Sequence, residues 1–368
     1  MKPKLAIISD TIRRDLHRPF RYFEHFEIIH LYQKANYGDM TKDDLTGTVQ
    51  FSGPVDLYRK LNQIKPDIIQ AIEPFAGYSR RFRISIKMTL LCKAIYAYSV
   101  THRTPYFFPF FENLSPLVKY GPLMGRIANI FGRIFANRAL LIFAINEDAK
   151  VIIKSLGVPD NKIVREMWGS WGVDINHFAP SKDKEKDPTL LFVGRIEAMK
   201  GVNDLLTAYK TLKPKHPGLK LWMVGDGSMR KEFENLPGVT CFGIIKHKQI
   251  PQYFQKAWIF VLPSKKAPDW AEQVGMVNIQ AIACGTPVVT TTSGSIPDYM
   301  KKEFSVMVPE SNHKELAAAI DELLSDKEKR QDFAKHGHEY VIEHYNDKVN
   351  VKIFENILKE RFDSPSKK

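Results

Sequence analysis

Glu272 stands in a loop three residues before Gly275, and Gln280 follows inside an apolar run, in the stretch AEQVGMVNIQAIACGTPVV at 271–289. A core helix needs no acid at its mouth. The glycine at 275, the apolar run to Cys284 and the stop at Gly285 and Pro287 predict a helix over 275–284. The first amides of that helix, at Gly275, Met276 and Val277, are donors without intrahelical partners and suit a phosphate. Gln280 then lies about 7.5 Å further along the axis. Glu272 and Gln280 can bracket a ligand whose phosphate rests on the amides between them. Taken singly, Glu272 reads as well as a charge at a helix terminus, and Gln280 as a surface amide.

A second cluster lies in FVGRIEAMKGVNDLL at 192–206. An apolar strand runs into Gly194 and Arg195, and Lys200 and Gly201 precede a helix. Two cations at a helix start form a clamp for a diphosphate. The glycines beside them permit close backbone approach. In MVGDG, Gly225 and Gly227 predict a tight turn near a ligand, with Asp226 more readily a turn residue than a catalytic acid.

These residues need a frame to hold them. Apolar strand-like runs at 5–9, 27–32, 67–72, 106–111 and 140–145 alternate with helical patterns at 54–64, 80–100 and 122–138. A polar stretch, SKDKEKDP at 181–188, reads as a linker. A second series follows, with strands at 189–195, 219–227, 239–243, 258–264 and 286–292. Helices are expected at 202–213, 228–235, 249–256, 275–284 and 313–324, and a long amphipathic one over about 327–361. Continuous apolar strands between helices imply parallel sheets covered on both faces. The length of 368 residues also suits two domains. In such sheets ligands bind beyond the carboxyl ends of the strands, which is where the residues above fall.

The charge is +13, and it is uneven. Between Ala76 and Leu140 stand ten cations, from Arg80 to Arg138, against the single acid Glu112. Phe82, Ile84, Met88, Leu123, Ile127 and Ile130 are interleaved with them, as in a helix lying on an anionic membrane surface. A core-facing helix with a solvated basic face fits the same pattern. Nucleic acid is a weaker partner, since no zinc spacing, RNA-recognition aromatic motif or helix-turn-helix pattern accompanies the charge. Cys92, Cys241 and Cys284 have neither metal nor disulfide spacing, which favours a reducing compartment. The opening MKPKLAIISD carries too short an apolar run for a signal peptide, and no stretch is long enough to span a bilayer. The expected location is cytoplasmic, with the cytoplasmic face of a membrane within reach.

The ordered set WGVDINHFAP, FVGRIEAMKGVNDLL, MVGDG, PGVTCFGII, VLPS and EQVGMVNIQAIACGTPVV resembles the retaining nucleotide-sugar glycosyltransferases of the glycosyl transferases group 1 family, carbohydrate-enzyme family four. The resemblance is close over 165–295, and the N-terminal half shares only its strand–helix plan. It implies a GT-B fold, an α/β architecture of two Rossmann-like, doubly wound domains facing across a cleft. An acceptor domain would cover 1–178 and a nucleotide-sugar domain 179–345. At 346–368 a C-terminal helix would pack back on the first domain, ending in a disordered tail.

The resemblance also implies roles. Glu272 would meet the donor sugar's hydroxyls, and Arg195 and Lys200 the diphosphate. Gly194, Gly225 and the amides of Gly275, Met276 and Val277 would support the same donor. Gln280 would meet the ribose, and backbone near Phe242, Gly243 and Ile244 the base. The family usually has a second glutamate where Gln280 stands. The glycine pair after the first strand is missing, and YFFPFFENL replaces a segment that often carries a histidine. Glu112 or Asn113 would then face the sugar, with Asp10 and Glu73 as further acceptor-side candidates. Hexosyl transfer from a UDP- or GDP-sugar to a hydroxyl acceptor, with lipid-linked or polysaccharide glycans in view, needs no metal and no cofactor in this scheme. An epimerase or phosphorylase of the same fold, or a binding subunit without turnover, stands as the alternative.

Overall fold

The structure, a computed structural model, describes residues 1–35, 40–41, 43–75, 86–166 and 172–364, with backbone alone at 86–88. Arg80, Arg81, Phe82, Arg83 and Ile84, and most of the expected tail, lie outside the described residues. The chain forms two compact units, Met1–Gly172 with Asp347–Lys368, and Val173–Asn346.

The first unit holds seven strands: β1 Lys4–Ile12, β2 Glu27–Ala35, β3 Val49–Gln50, β4 Ile68–Gln70, β5 Tyr106–Phe110, β6 Ile142–Ala144 and β7 Ile163–Val164. Their order is β3-β2-β1-β4-β5-β6-β7, and every pairing is parallel. The strand order reverses between β1 and β4. All of β5 is buried, as expected of a strand covered on both faces. Pro109 stands where the ladder to β4 stops: the last bond between them is from the Ala71 amide to the Phe107 carbonyl at 2.8 Å, and proline has no amide to extend it.

Helices Pro54–Ile64 and Pro122–Arg138 each begin with proline at the first turn, where its missing N–H costs nothing. The second buries Gly125, Ala128, Gly132, Phe135 and Ala136. It packs closely: a Cβ at Gly132 would lie 2.4 Å from the Phe75 ring. Helix Asp347–Asp363 belongs to this unit, where Phe354 meets Phe23, Phe107 and Phe143.

The second unit holds β8 Thr189–Val193, β9 Lys220–Val224, β10 Val239–Gly243, β11 Ile259–Leu262, β12 Val288–Thr291 and β13 Ser305–Val308. The order is β10-β9-β8-β11-β12-β13, again parallel. Here the reversal falls between β8 and β11. Helices Val202–Leu212, Ile250–Lys256, Met276–Ala283 and His313–Ser325 stand close to their expected places.

Three expectations differ from the structure. The helix expected at 228–235 is a 3-10 turn at Arg230–Glu232, ahead of Pro237. The long helix over 327–361 is two, Lys327–His344 and Asp347–Asp363. The break is made by the Tyr345 carbonyl, which accepts from the Val173 amide at 2.7 Å as the chain passes between units. The stretch 181–188 lies inside the second unit, whose boundaries are at 172/173 and 346/347 rather than 178/179. It is irregular but anchored: the Lys184 ammonium donates to the Ala257 carbonyl at 2.8 Å and to Thr286 Oγ1 at 3.0 Å. Burial pushes the Lys184 ammonium down to about 8. Among the described residues, no helix is long and apolar enough to cross a membrane.

Candidate functional site

In the second unit the carboxyl ends of β8 and β11 flank the point where strand order reverses, the place where open α/β sheets receive ligands. From β8 the chain passes through Gly194 and Arg195 to a 3-10 turn, Ala198–Lys200, and into helix Val202–Leu212. From β11 it passes through Pro263 and Ser264 to Glu272 and then to helix Met276–Ala283. A sequence separation of 72 residues is thereby closed to an ion pair. The Lys200 Nζ lies 2.6 Å from Glu272 Oε2, with both side chains largely buried. Ser264 Oγ donates to the same carboxylate oxygen at 2.9 Å. The Lys200 ammonium also sits 4.7 Å from the centre of the Trp270 ring.

Gly201 makes this closure possible. Its φ is 68°, and a Cβ there would lie 1.7 Å from the Pro263 carbonyl oxygen. Only glycine lets the start of helix Val202–Leu212 come so near the end of β11. The Glu272 side is fixed by its carbonyl, which accepts from the Ser295 amide at 2.9 Å.

Gly275, at φ 70° and ψ 48°, starts helix Met276–Ala283. Met276, Val277 and Gln280 are half-buried on its outer side, and Asn278 is buried. The Asn278 Oδ1 and the hydroxyls of Ser293 and Ser295 are buried without a hydrogen-bond partner. These three and Trp270 lie beside the site and escape sequence reasoning. Serine and asparagine near a turn carry no periodic signal, and the sequence places only Ser264, as the end of VLPS.

Arg195 is exposed, and its guanidinium reaches Met199 Sδ at 3.7 Å. Gly225 and Gly227 serve the packing of neighbouring strand ends. A Cβ on Gly225 would lie 1.9 Å from the Gly194 carbonyl oxygen, and one on Gly227 would lie 2.4 Å from that of Ile196. Asp226 is a turn residue, its Oδ1 accepting from the Gly227 amide at 2.9 Å. Gly243 receives the Gly225 amide on its carbonyl at 2.8 Å. Phe242 packs edge-on against Trp222 and Tyr253, and Ile244 is exposed.

The first unit gathers a second set. Glu73 follows β4, and Glu112 and Asn113 follow β5. The Phe111 amide donates to Glu73 Oε2 at 2.8 Å. Burial, reinforced by the charge of Glu112, pushes the Glu73 carboxyl up to about 8. Glu112 forms an ion pair with Lys119 on helix Pro116–Tyr120. Asp10 lies in β1, half-buried, and accepts from Thr11 Oγ1 at 3.3 Å.

Residues 174–340 match the family model for glycosyl transferases group 1. An uncharacterised glycosyltransferase of Methanocaldococcus jannaschii is 28% identical over 199 residues, covering 52% of this chain and 48% of that protein. The capsular polysaccharide biosynthesis glycosyltransferase CapM of Staphylococcus aureus is 28% identical over 229 residues, 56% of this chain and 58% of its own. The chain thus spans about half the length of these relatives. Two solved structures share the fold over nearly the whole chain. Sucrose-phosphate synthase from Thermosynechococcus elongatus superposes with a TM-score of 0.76 at 17% identity, over 98% of this chain and 99% of that one. HepE of Anabaena, in complex with UDP-glucose, does so with a TM-score of 0.74 at 17% identity, over 97% and 99%. The two parallel sheets share the GT-B fold of these solved structures, and within it residues 174–340 match the glycosyl transferases group 1 family.

Proposed function

We propose that the protein is a retaining glycosyltransferase that moves a hexosyl group from a UDP- or GDP-linked sugar to a hydroxyl of a glycan or lipid-linked acceptor. The observation that carries the reading is the Lys200–Glu272 pair at the strand-order reversal, beside the amide-bearing start of helix Met276–Ala283. A cation and a carboxylate held together there match the two halves of a nucleotide sugar, one anionic and one rich in hydroxyls.

In this reading Lys200 and Arg195 hold the diphosphate, with Gly194 and the amides of Gly275, Met276 and Val277. Glu272 accepts hydrogen bonds from the sugar's hydroxyls. Gln280 meets the ribose with a neutral amide, a weaker acceptor than a carboxylate. The backbone from Phe242 to Ile244, with Gly225 behind it, borders the base. Glu112, Glu73, Asn113 and Asp10 serve the acceptor side. The bond from the anomeric carbon to the phosphate oxygen breaks, and the acceptor oxygen bonds to that carbon on the same face. The acceptor's proton passes to the departing diphosphate. Fixed positive charge on the leaving group lowers the barrier, as preorganised electrostatics generally do.

One finding from a similar structure supports the donor class, and one from a relative supports the glycan acceptor. HepE is described in complex with UDP-glucose, and CapM acts in capsular polysaccharide biosynthesis. The experiment is a thermal-shift panel of UDP- and GDP-sugars followed by product analysis with the matching donor. A true donor at a hundredfold excess over its Kd adds about 2.7 kcal/mol to native stability. If no nucleotide sugar raises the melting temperature, or if Lys200→Ala leaves the shift intact, the reading fails.

A further inference from the structure

Helix Pro122–Arg138 has two apolar faces. One packs into the first unit through Gly125, Ala128, Gly132, Phe135 and Ala136. Leu123, Ile127, Ile130 and Ile134 follow one another at spacings of four, three and four, which keeps them within a sector of about 60° on the opposite side. All four point outward, exposed by 72%, 50%, 65% and 51%. Leu117 and Val118, on the short helix before it, are exposed as well. A helix that only covers a core carries polar residues on that outer side. Scattered exposed apolar residues are ordinary, but a contiguous stripe marks an interaction surface.

The charges beside the stripe decide its occupant. Arg126 and Arg133 flank it on one side, both exposed. No aspartate or glutamate stands anywhere between Glu112 and Glu147. A protein partner of ordinary composition would not require so one-sided a border, whereas an anionic lipid surface would. We propose that the outer stripe of helix Pro122–Arg138 inserts into the interfacial layer of an anionic bilayer, with Arg126 and Arg133 on the lipid headgroups. This deepens the reading above, on which it rests for the meaning of the contact: the surface would bring the acceptor unit to a lipid-linked hydroxyl.

The test is flotation of the full chain with vesicles of phosphatidylcholine alone and of phosphatidylcholine mixed with phosphatidylglycerol, without any nucleotide. The expected result is binding to the mixed vesicles only, weakened by salt. Ile130→Ser with Ile134→Ser should weaken it by about tenfold or more. Arg126→Gln and Arg133→Gln should each weaken it by about fivefold. A matched control elsewhere on the first unit, Val55→Ser, should change nothing. Nucleotide-sugar binding, measured without vesicles, should be the same in all four variants, so loss of membrane contact and loss of donor binding are separable. The proposal is overturned by equal binding to neutral vesicles, by no binding, or by parent-like binding of the isoleucine variant. It is equally overturned if the parent is a dimer that the isoleucine changes split without affecting vesicles.

Discussion

The Lys200 ammonium forms an ion pair with the Glu272 carboxylate at 2.6 Å. In the proposed reading, a diphosphate entering the site competes with this carboxylate for the same cation. This leads to an unusual expectation for Glu272→Gln. The bare nucleoside diphosphate should bind this variant at least as tightly as the parent, because Lys200 is released. Sugar transfer should nevertheless fall by about a hundredfold or more, since in the proposed reading the group that meets the sugar's hydroxyls has lost its charge. Lys200→Ala should weaken both nucleoside diphosphate and nucleotide sugar. It should also destabilise the protein by about 3 kcal/mol, because it removes the counter-charge of a mostly buried carboxylate. Calorimetric titration with nucleoside diphosphate separates the two variants. Weaker diphosphate binding in Glu272→Gln would contradict the competition.

Gly201 is expected to be intolerant of any side chain. Its positive φ alone strains other residues, and the Cβ of alanine would overlap the Pro263 carbonyl oxygen. Gly201→Ala should cost on the order of 1–3 kcal/mol. The more telling effect is on the site, since moving the helix start moves Lys200 away from Glu272. Donor affinity should fall further than the change in melting temperature explains. Gly218→Ala, where the nearest neighbours of a Cβ are 3.9 Å away, is the control that should leave both nearly unchanged.

Much of this arrangement is legible in the sequence, and the reasons differ by element. Helices 54–64 and 122–138 fall on the expected residues because proline marks each start and periodicity marks each face. Strands such as β8 and β11 are continuous apolar runs between turns and could hardly be read otherwise. The short edge strands β3 and β7 have two residues each and carry no pattern to read. The break at Tyr345 is hidden because it depends on Val173, far away in the chain. At the site, glycines and charges announce Arg195, Lys200 and Glu272. The direct Lys200–Glu272 bond, and the orphaned hydroxyls of Ser293 and Ser295, are tertiary facts that no local spacing encodes.

The Glu73 carboxyl gives the first unit a distinctive pH dependence. Its folded value of about 8 lies above its ordinary value of 4.5. Between those two values the native state holds a proton that the unfolded state has released. The associated stability is therefore complete below the lower value and is lost as pH rises through the upper one. Glu73→Gln keeps an acceptor for the Phe111 amide and removes the titration. Urea unfolding should show the parent losing stability from about pH 5 to about pH 8.5, and the variant losing less. Across that window the parent's extra loss should approach about 1.4 kcal/mol for each tenfold fall in proton concentration. Parallel pH profiles for the two proteins would refute the assignment.

Glu355 ties the C-terminal helix to the first unit through backbone rather than through apolar contact alone. Its carboxylate, buried beside Phe354, accepts from the amides of Glu24 at 2.9 Å, His25 at 2.7 Å and Phe26 at 3.2 Å. Three amides at the entry to β2 thus depend on one side chain near the far end of the sequence. Glu355→Ala leaves the Phe26 amide buried with no acceptor and the partly buried Glu24 and His25 amides to water, which should cost about 1–3 kcal/mol, as a charged hydrogen bond is worth more than a neutral one. Glu355→Gln keeps one acceptor oxygen and should cost less. Because the aromatic contacts of Phe354 remain, the helix should stay docked but loosen at this point. Hydrogen exchange at residues 24–26 should accelerate in both variants, most in the alanine one. Amides of β8 and β11, in the other unit, should exchange as before. If residues 24–26 stay as protected in Glu355→Ala as in the parent, the carboxylate is not what holds them.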